Sequence, residues 1–209
     1  MKELVDRKEN WTESAKARPC VQGGMRKPRI LQDGALYHVT ARANRKEMIL
    51  DSNDMKELFL EVMRRAKVKY AFRVENFCIM GNHIHIMLRL EGGTSLSRLM
   101  QWIMSVFAMA YNRIHGFVGH VWGSRFFSRI VSGLREFMHV FGYVDDNPVE
   151  ARQVEYRRDW RYGGLWHHRA GIVELCPGAG TMLGLTFPEH AQLMLPEIHR
   201  LYRNYGQRL

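Results

Sequence analysis

Two histidines, His83 and His85, stand one residue apart in the apolar stretch MGNHIHIML. On a strand, side chains alternate between faces, so both imidazoles leave one face about 7 Å apart while Ile84 and Ile86 leave the other. Imidazoles placed that way can converge on one divalent ion, and they suit a hydrogen-bond network at a strand end equally well. Further along, His139, Tyr143 and Asn147 recur at every fourth residue beside the apolar stripe Phe137, Val140, Phe141 and Val144, so on a helix they stack along one line. The Asn147 amide oxygen would complete an N,N,O donor set with open positions, which suits Mg²⁺ or Mn²⁺ bridging to a phosphate better than the closed shell of structural zinc. A tyrosine hydroxyl beside such an ion can attack phosphorus in line and form a phosphotyrosyl intermediate. The same spacing also fits a tyrosine at the edge of an apolar helix face. His139, one turn before Tyr143, is placed either to accept the phenol proton or hold a phosphate, or to be an ordinary surface histidine.

The elements that must hold these residues are readable from periodicity. LYHVTARA, residues 36–43, alternates Leu36, His38, Thr40 and Arg42 against Tyr37, Val39, Ala41 and Ala43, which predicts a strand. After the capping cluster Asp51-Ser52-Asn53-Asp54, Met55, Leu58, Phe59, Val62, Met63 and Ala66 predict an amphipathic helix to about Lys69. Residues 71–79 and 83–90 predict two strands joined at Gly81-Asn82, a dipeptide suited to the positive φ of a tight turn. A long helix follows from Thr94 to about Ile114, then a glycine-rich irregular stretch, a strand from Arg125 to Val131, and a helix from Ser132 that Pro148 is expected to stop near Asn147. This β-α-β-β-α-β-α order is that of an α+β, ferredoxin-like split β-α-β fold: an antiparallel sheet with its helices packed on one face.

The chain has 209 residues, 46% of them hydrophobic, enough for one core with an appendage. Lys and Arg number 31 against 21 Asp and Glu, a formal charge of +10, which favours a polyanion and above all nucleic acid. Cys20, Cys78 and Cys176 are too scattered for a disulfide framework or a zinc ribbon. Residues 1–24 lack a secretory apolar core and no stretch approaches the roughly 20 apolar residues of a membrane span, so a cytoplasmic protein is expected. We divide the chain into an extension at 1–24, a main domain from Met25 whose extent to 160 and catalytic character are what the family resemblance below implies, and a basic and aromatic appendage, helical or irregular, at 161–209, with an amphipathic helix around Pro188–Asn204.

Four blocks in order, RKPRI with GALYHVTARANRKEMI, FCIMGNHIHIML, LSRLMQWIMSVFAMAYNRIHGFVGHVWGSRF and YVDDNPVEA, resemble the single-tyrosine, IS200-like transposases of the HUH nuclease superfamily, specifically the REP-associated tyrosine transposase branch. The resemblance implies a ferredoxin-like domain that cuts and rejoins single-stranded DNA beside a hairpin through a covalent 5′-phosphotyrosine, using one divalent ion. It makes His83, His85 and Asn147 the metal ligands and Tyr143 the nucleophile. Asp145 and Asp146 depart from the family pattern: Asp146, three residues after Tyr143 and beside Asn147, is placed to add a carboxylate to the metal or to repel the incoming phosphate, and both equally suit solvated acids near a helix end. The rival readings are a catalytically silent regulator that grips hairpin DNA or RNA, and an RRM-type RNA binder, whose aromatic consensus the histidine strand lacks.

Single-stranded DNA needs cations for its phosphates and flat side chains for its bases. Arg26, Lys27, Arg29, Arg42, Arg45, Arg125, Arg157 and Arg158 are the cationic candidates, and Trp122 and Phe126 the aromatic ones, with Arg125 matching a recurring arginine of the family. The partner expected is hairpin-bearing single-stranded DNA, engaged by a monomer or a homodimer with shared active sites.

Overall fold

The computed structural model describes residues 32 and 34–176. The expected extension at 1–24, Arg26, Lys27, Arg29 and the expected helix around 188–204 lie outside them. Strand β1 (Leu36–Arg42) is followed by a short 3-10 turn at Asn44–Lys46 and helix α1 (Asn53–Lys69). Ser52 starts α1, its hydroxyl accepting from the Met55 amide at 3.3 Å. Strands β2 (Phe72–Ile79) and β3 (His83–Leu90) form the hairpin, helix α2 spans Leu96–His115, and β4 (Phe127–Ile130) completes the sheet. Helix α3 (Gly133–Glu150) and the short α4 (Gly164–Arg169) follow. The sheet is antiparallel in the order β2-β3-β1-β4, so the histidine strand and β1 are central, as the split β-α-β plan requires.

The two sheet faces differ in chemistry and in cover. Tyr37, Val39, Phe77, Ile79, Ile84 and Ile86 are all fully or almost fully buried and share one face. The two crossover helices cover it: Phe59 of α1 meets Phe107 of α2 edge-on at 5.5 Å, and Trp122 packs against both rings. The opposite face carries His38, Thr40, Arg42, His83, His85 and Met87. Helix α3 lies across this second face, so it is a partly roofed site and not an open sheet surface.

A bulge in β2 seats α3. Val74 pairs with Leu88 and Asn76 with Met87, so Glu75 is the extra residue and the strand changes parity there. Asn76 therefore faces α3, where its amide nitrogen donates to Asp145 Oδ1 at 2.9 Å and to the Phe141 carbonyl at 3.3 Å. Its oxygen accepts the Phe77 amide at 2.8 Å, so both ends of this buried side chain are used. From the other end, Glu136 accepts the Ser132 amide at 2.7 Å and pairs with Arg129 of β4 at 3.3 Å.

Three expectations need correction. Helix α3 does not stop before Pro148 but continues through it to Glu150. Proline removes one donor and crowds one turn, and here that falls on the last turn, where Ala151 and Gln153 amides still bond the carbonyls of Asn147 and Pro148. Gly81 does not adopt a positive φ. A Cβ there would crowd the movable tip of the exposed Met48 side chain and stand 3.2 Å from Asp51 Oδ1, and the Gly81 carbonyl accepts the Leu50 amide. Residues after the boundary expected at 160 belong to the same core, since Tyr162 accepts the Ile79 amide, Gly163 bridges Cys78, and Leu175 and Cys176 are fully buried. They close the outer edge of β2.

The Asp145 carboxyl is held up at about 7 by burial, against the lowering pull of the Asn76 hydrogen bond. A raised carboxyl contributes stability that is fully present below its unfolded value near 4 and is lost as the pH rises through 7, on the order of 4 kcal/mol in all. We expect Asp145→Asn to gain stability relative to the wild type as the pH goes from 4 to 8, measured by paired urea titrations. A pH-independent difference between the two proteins would contradict it.

Candidate active site on the histidine face

The elements bring together the residues that spacing singled out on β3 and α3. His83 and His85 share the face, their ring centroids 5.1 Å apart and nearly perpendicular. Tyr143 stands edge-on to His85 at 5.4 Å and to His38 at 6.1 Å. Asn147 follows one turn later, its amide nitrogen donating to the Tyr143 carbonyl at 2.7 Å, which leaves the amide oxygen for the site. The Asn147 side chain bears on both neighbours, raising the His83 pKa and lowering that of Tyr143.

Burial sets the charge state of this cluster. It lowers His83 to about 4, with Arg42 assisting, and holds His85, only 4% exposed, well below the ordinary imidazole range. Both rings are therefore neutral at pH 7 and present lone pairs. Asn82 Oδ1 lies 2.8 Å from His83 Nδ1 and, as an acceptor, selects the tautomer protonated there, while the Asn147 side chain also hydrogen-bonds the ring. Burial and Glu150 raise the Tyr143 phenol, while Arg42, Asn147 and Arg129 oppose them.

This donor set fits a hard divalent ion. Two neutral imidazoles and an amide oxygen offer N,N,O ligation without enclosing the ion. Among the described residues no group of three His, Cys, Asp or Glu side chains is arranged to hold a metal ion. Asp145 is turned to Asn76, and Asp146 forms an ion pair with Arg157. Neither is a solvated acid of the kind also considered for them.

The DNA-contact candidates separate. Arg42 is exposed at the end of β1, paired with His83 across the ladder, beside both His83 and Tyr143. Arg45 is exposed in the following turn, with a left-handed φ of 50°. Arg125, Trp122 and Phe126 line a cleft of about 710 Å³ that also includes Asn44 and Gln101. Phe126, at 6% exposure, is core and offers no face to a base. Trp122 is half-buried on the cleft, its indole N–H donating to the Met104 carbonyl at 2.9 Å. Arg157 is mostly covered and engaged with Asp146, so it fastens the 157–159 turn to α3. Arg158 stacks over Tyr156 at 4.7 Å, and His139 is exposed one turn before Tyr143.

Three residues of this face escaped the sequence reading. His38 lies 3.1 Å from His85, Arg129 neighbours His38 and Tyr143, and Phe127 is 56% exposed opposite Thr40. The alternation of β1 already put His38 on the face of Arg42. The register that joins it to His85 is a tertiary fact.

Residues 32–147 match the family model described as Transposase IS200 like. Among solved structures, one described as the "REP associates tyrosine transposase bound to a REP hairpin" is similar at 19% identity with a TM-score of 0.60, over 74% of this chain and 89% of that one. A putative transposase from Deinococcus radiodurans R1 matches at 12% identity and a TM-score of 0.42, over 58% of this chain and 97% of that one. No curated protein matches.

Proposed function

Because this chain belongs to the family of IS200-like transposases, we propose that it nicks and rejoins single-stranded DNA beside a hairpin, with Tyr143 as nucleophile. The observation that carries this reading is the meeting of Tyr143 with His83, His85 and Asn147 on one face. The hairpin is suggested by the DNA bound in the structurally similar transposase.

In the proposed reaction the Tyr143 oxygen attacks phosphorus and the bond to the 3′ oxygen breaks. The DNA 5′ phosphate is left on tyrosine, and the departing 3′ oxygen takes a proton to become a hydroxyl. A later 3′ hydroxyl reverses the step and joins the strand. His83, His85 and Asn147 would hold Mg²⁺ or Mn²⁺, which when bound supplies Lewis-acid polarisation of the phosphate. Burial keeps the phenol protonated at neutral pH, so its proton needs an acceptor, and His139 is our assignment for it. Arg42 offers charge to the phosphate beside the tyrosine, and Arg45, Arg125 and Arg158 extend the cationic track. For base stacking we assign Phe127 in place of Phe126, because alternation turns only Phe127 outward on the histidine face.

We expect Tyr143→Phe to bind hairpin DNA normally and to give no covalent protein–DNA adduct on denaturing gels, and EDTA to abolish cleavage by the wild type. An adduct of normal yield from Tyr143→Phe would overturn the assignment. His139→Ala should slow cleavage most at the acid end of a pH 6–9 profile, and an unchanged profile would remove it from the mechanism. Phe127→Ala should weaken oligonucleotide binding roughly 5- to 100-fold, the equivalent of one lost stacking contact, with the melting temperature kept. Phe126→Ala should instead destabilise the fold by about 3–5 kcal/mol in urea titrations.

A further inference from the structure

His38 is a buried histidine on β1 that no step above uses. Its Nε2 lies 3.1 Å from His85 Nδ1, and the rings are 13° from parallel with centroids 5.3 Å apart, so the two imidazoles meet nearly edge to edge. Both residues are buried, so no solvent relieves this contact. Two neutral imidazole nitrogens at that distance share one proton, and only two arrangements exist. If His38 Nε2 carries the proton, His85 Nδ1 accepts it, His85 must be protonated at Nε2, and that nitrogen has no lone pair to give. If His85 Nδ1 carries the proton and His38 Nε2 accepts it, His85 Nε2 is bare.

From this contact we propose that His38 is a positioning residue that holds His85 in its metal-binding tautomer by accepting the Nδ1 proton. The inference rests on the metal reading of His83 and His85. His38 does not itself coordinate, since its Nε2 is directed at His85 Nδ1. The two ligands then have separate orienting partners. Asn82 Oδ1 accepts from His83 Nδ1 at 2.8 Å, and His38 Nε2 accepts from His85 Nδ1. His38 also stands edge-on to Tyr143 at 6.1 Å, so the same ring that turns His85 toward the ion limits where the phenol can swing.

The test is Mn²⁺ affinity of the full chain by electron paramagnetic resonance, with ¹⁵N-histidine NMR of the Mg²⁺-loaded wild type. His38→Leu, which fills the space but accepts nothing, should weaken Mn²⁺ binding about 10- to 100-fold. His38→Gln, whose amide oxygen can take the same hydrogen bond, should recover most of that loss. The NMR spectrum should show His85 protonated at Nδ1, and it decides the matter on the wild type alone if His38→Leu fails to fold. A folded His38→Leu protein with Mn²⁺ affinity within twofold of the wild type, or a wild-type His85 protonated at Nε2, would overturn the proposal while leaving the metal site standing. If His83→Ala also left Mn²⁺ affinity unchanged, the metal reading itself would fall and this inference with it.

Discussion

A strand inside a sheet must send alternate side chains to opposite faces, and on β3 that rule separates two chemistries by one residue. Ile84 and Ile86 enter the hydrocarbon sealed by α1 and α2, and His83 and His85 face α3. Since β3 is hydrogen-bonded on both sides, it cannot slip by one residue without exchanging its faces. The histidines are therefore held in register by the same burial that stabilises the fold. Everything on the functional face, from the Arg42 pairing to the tyrosine ring across from His85, is referred to that register.

The candidate ligands His83, His85 and Asn147 include no carboxylate, and this bears on the electrostatics of the face. Two neutral rings and an amide carry no charge of their own, while Arg42, Arg129 paired with Glu136, and Glu150 all bear on Tyr143. The acids on the adjoining turn are diverted: Asp145 is spent on seating the helix and Asp146 on Arg157. The consecutive aspartates of the helix are thus both engaged away from His83 and His85.

Much of this was legible in the sequence because local periodicity and local chemistry agreed. The strands, the three long helices and the shared line of Tyr143 and Asn147 follow from period-2 and period-3.6 patterns read one element at a time. What sequence could not show depended on relations between elements. Gly81 looked like a turn glycine needing a positive φ, yet its backbone does not adopt one. Pro148 looked like a stop, and the helix accommodates it in its final turn. His38 was visible as a residue on the polar side of its strand, but only the β1–β3 ladder makes it a neighbour of His85. Phe126 had the right type for stacking on bases, and tertiary packing buried it, while Trp122 stays half-buried on the cleft.

The extra residue at Glu75 makes β2 two strands in the sense that matters to a side chain. Val74 counts with the core on one side of it, and Phe77 and Ile79 count with the core on the other, although the spacing between them is odd. A periodicity averaged over all of 72–79 cancels itself and shows no single alternating face. An alignment that places a gap elsewhere in this strand would assign Asn76 to the wrong side of the sheet. The address of the tyrosine is consequently written in the length of a strand it does not belong to, and lengths, unlike residue types, leave no mark in composition.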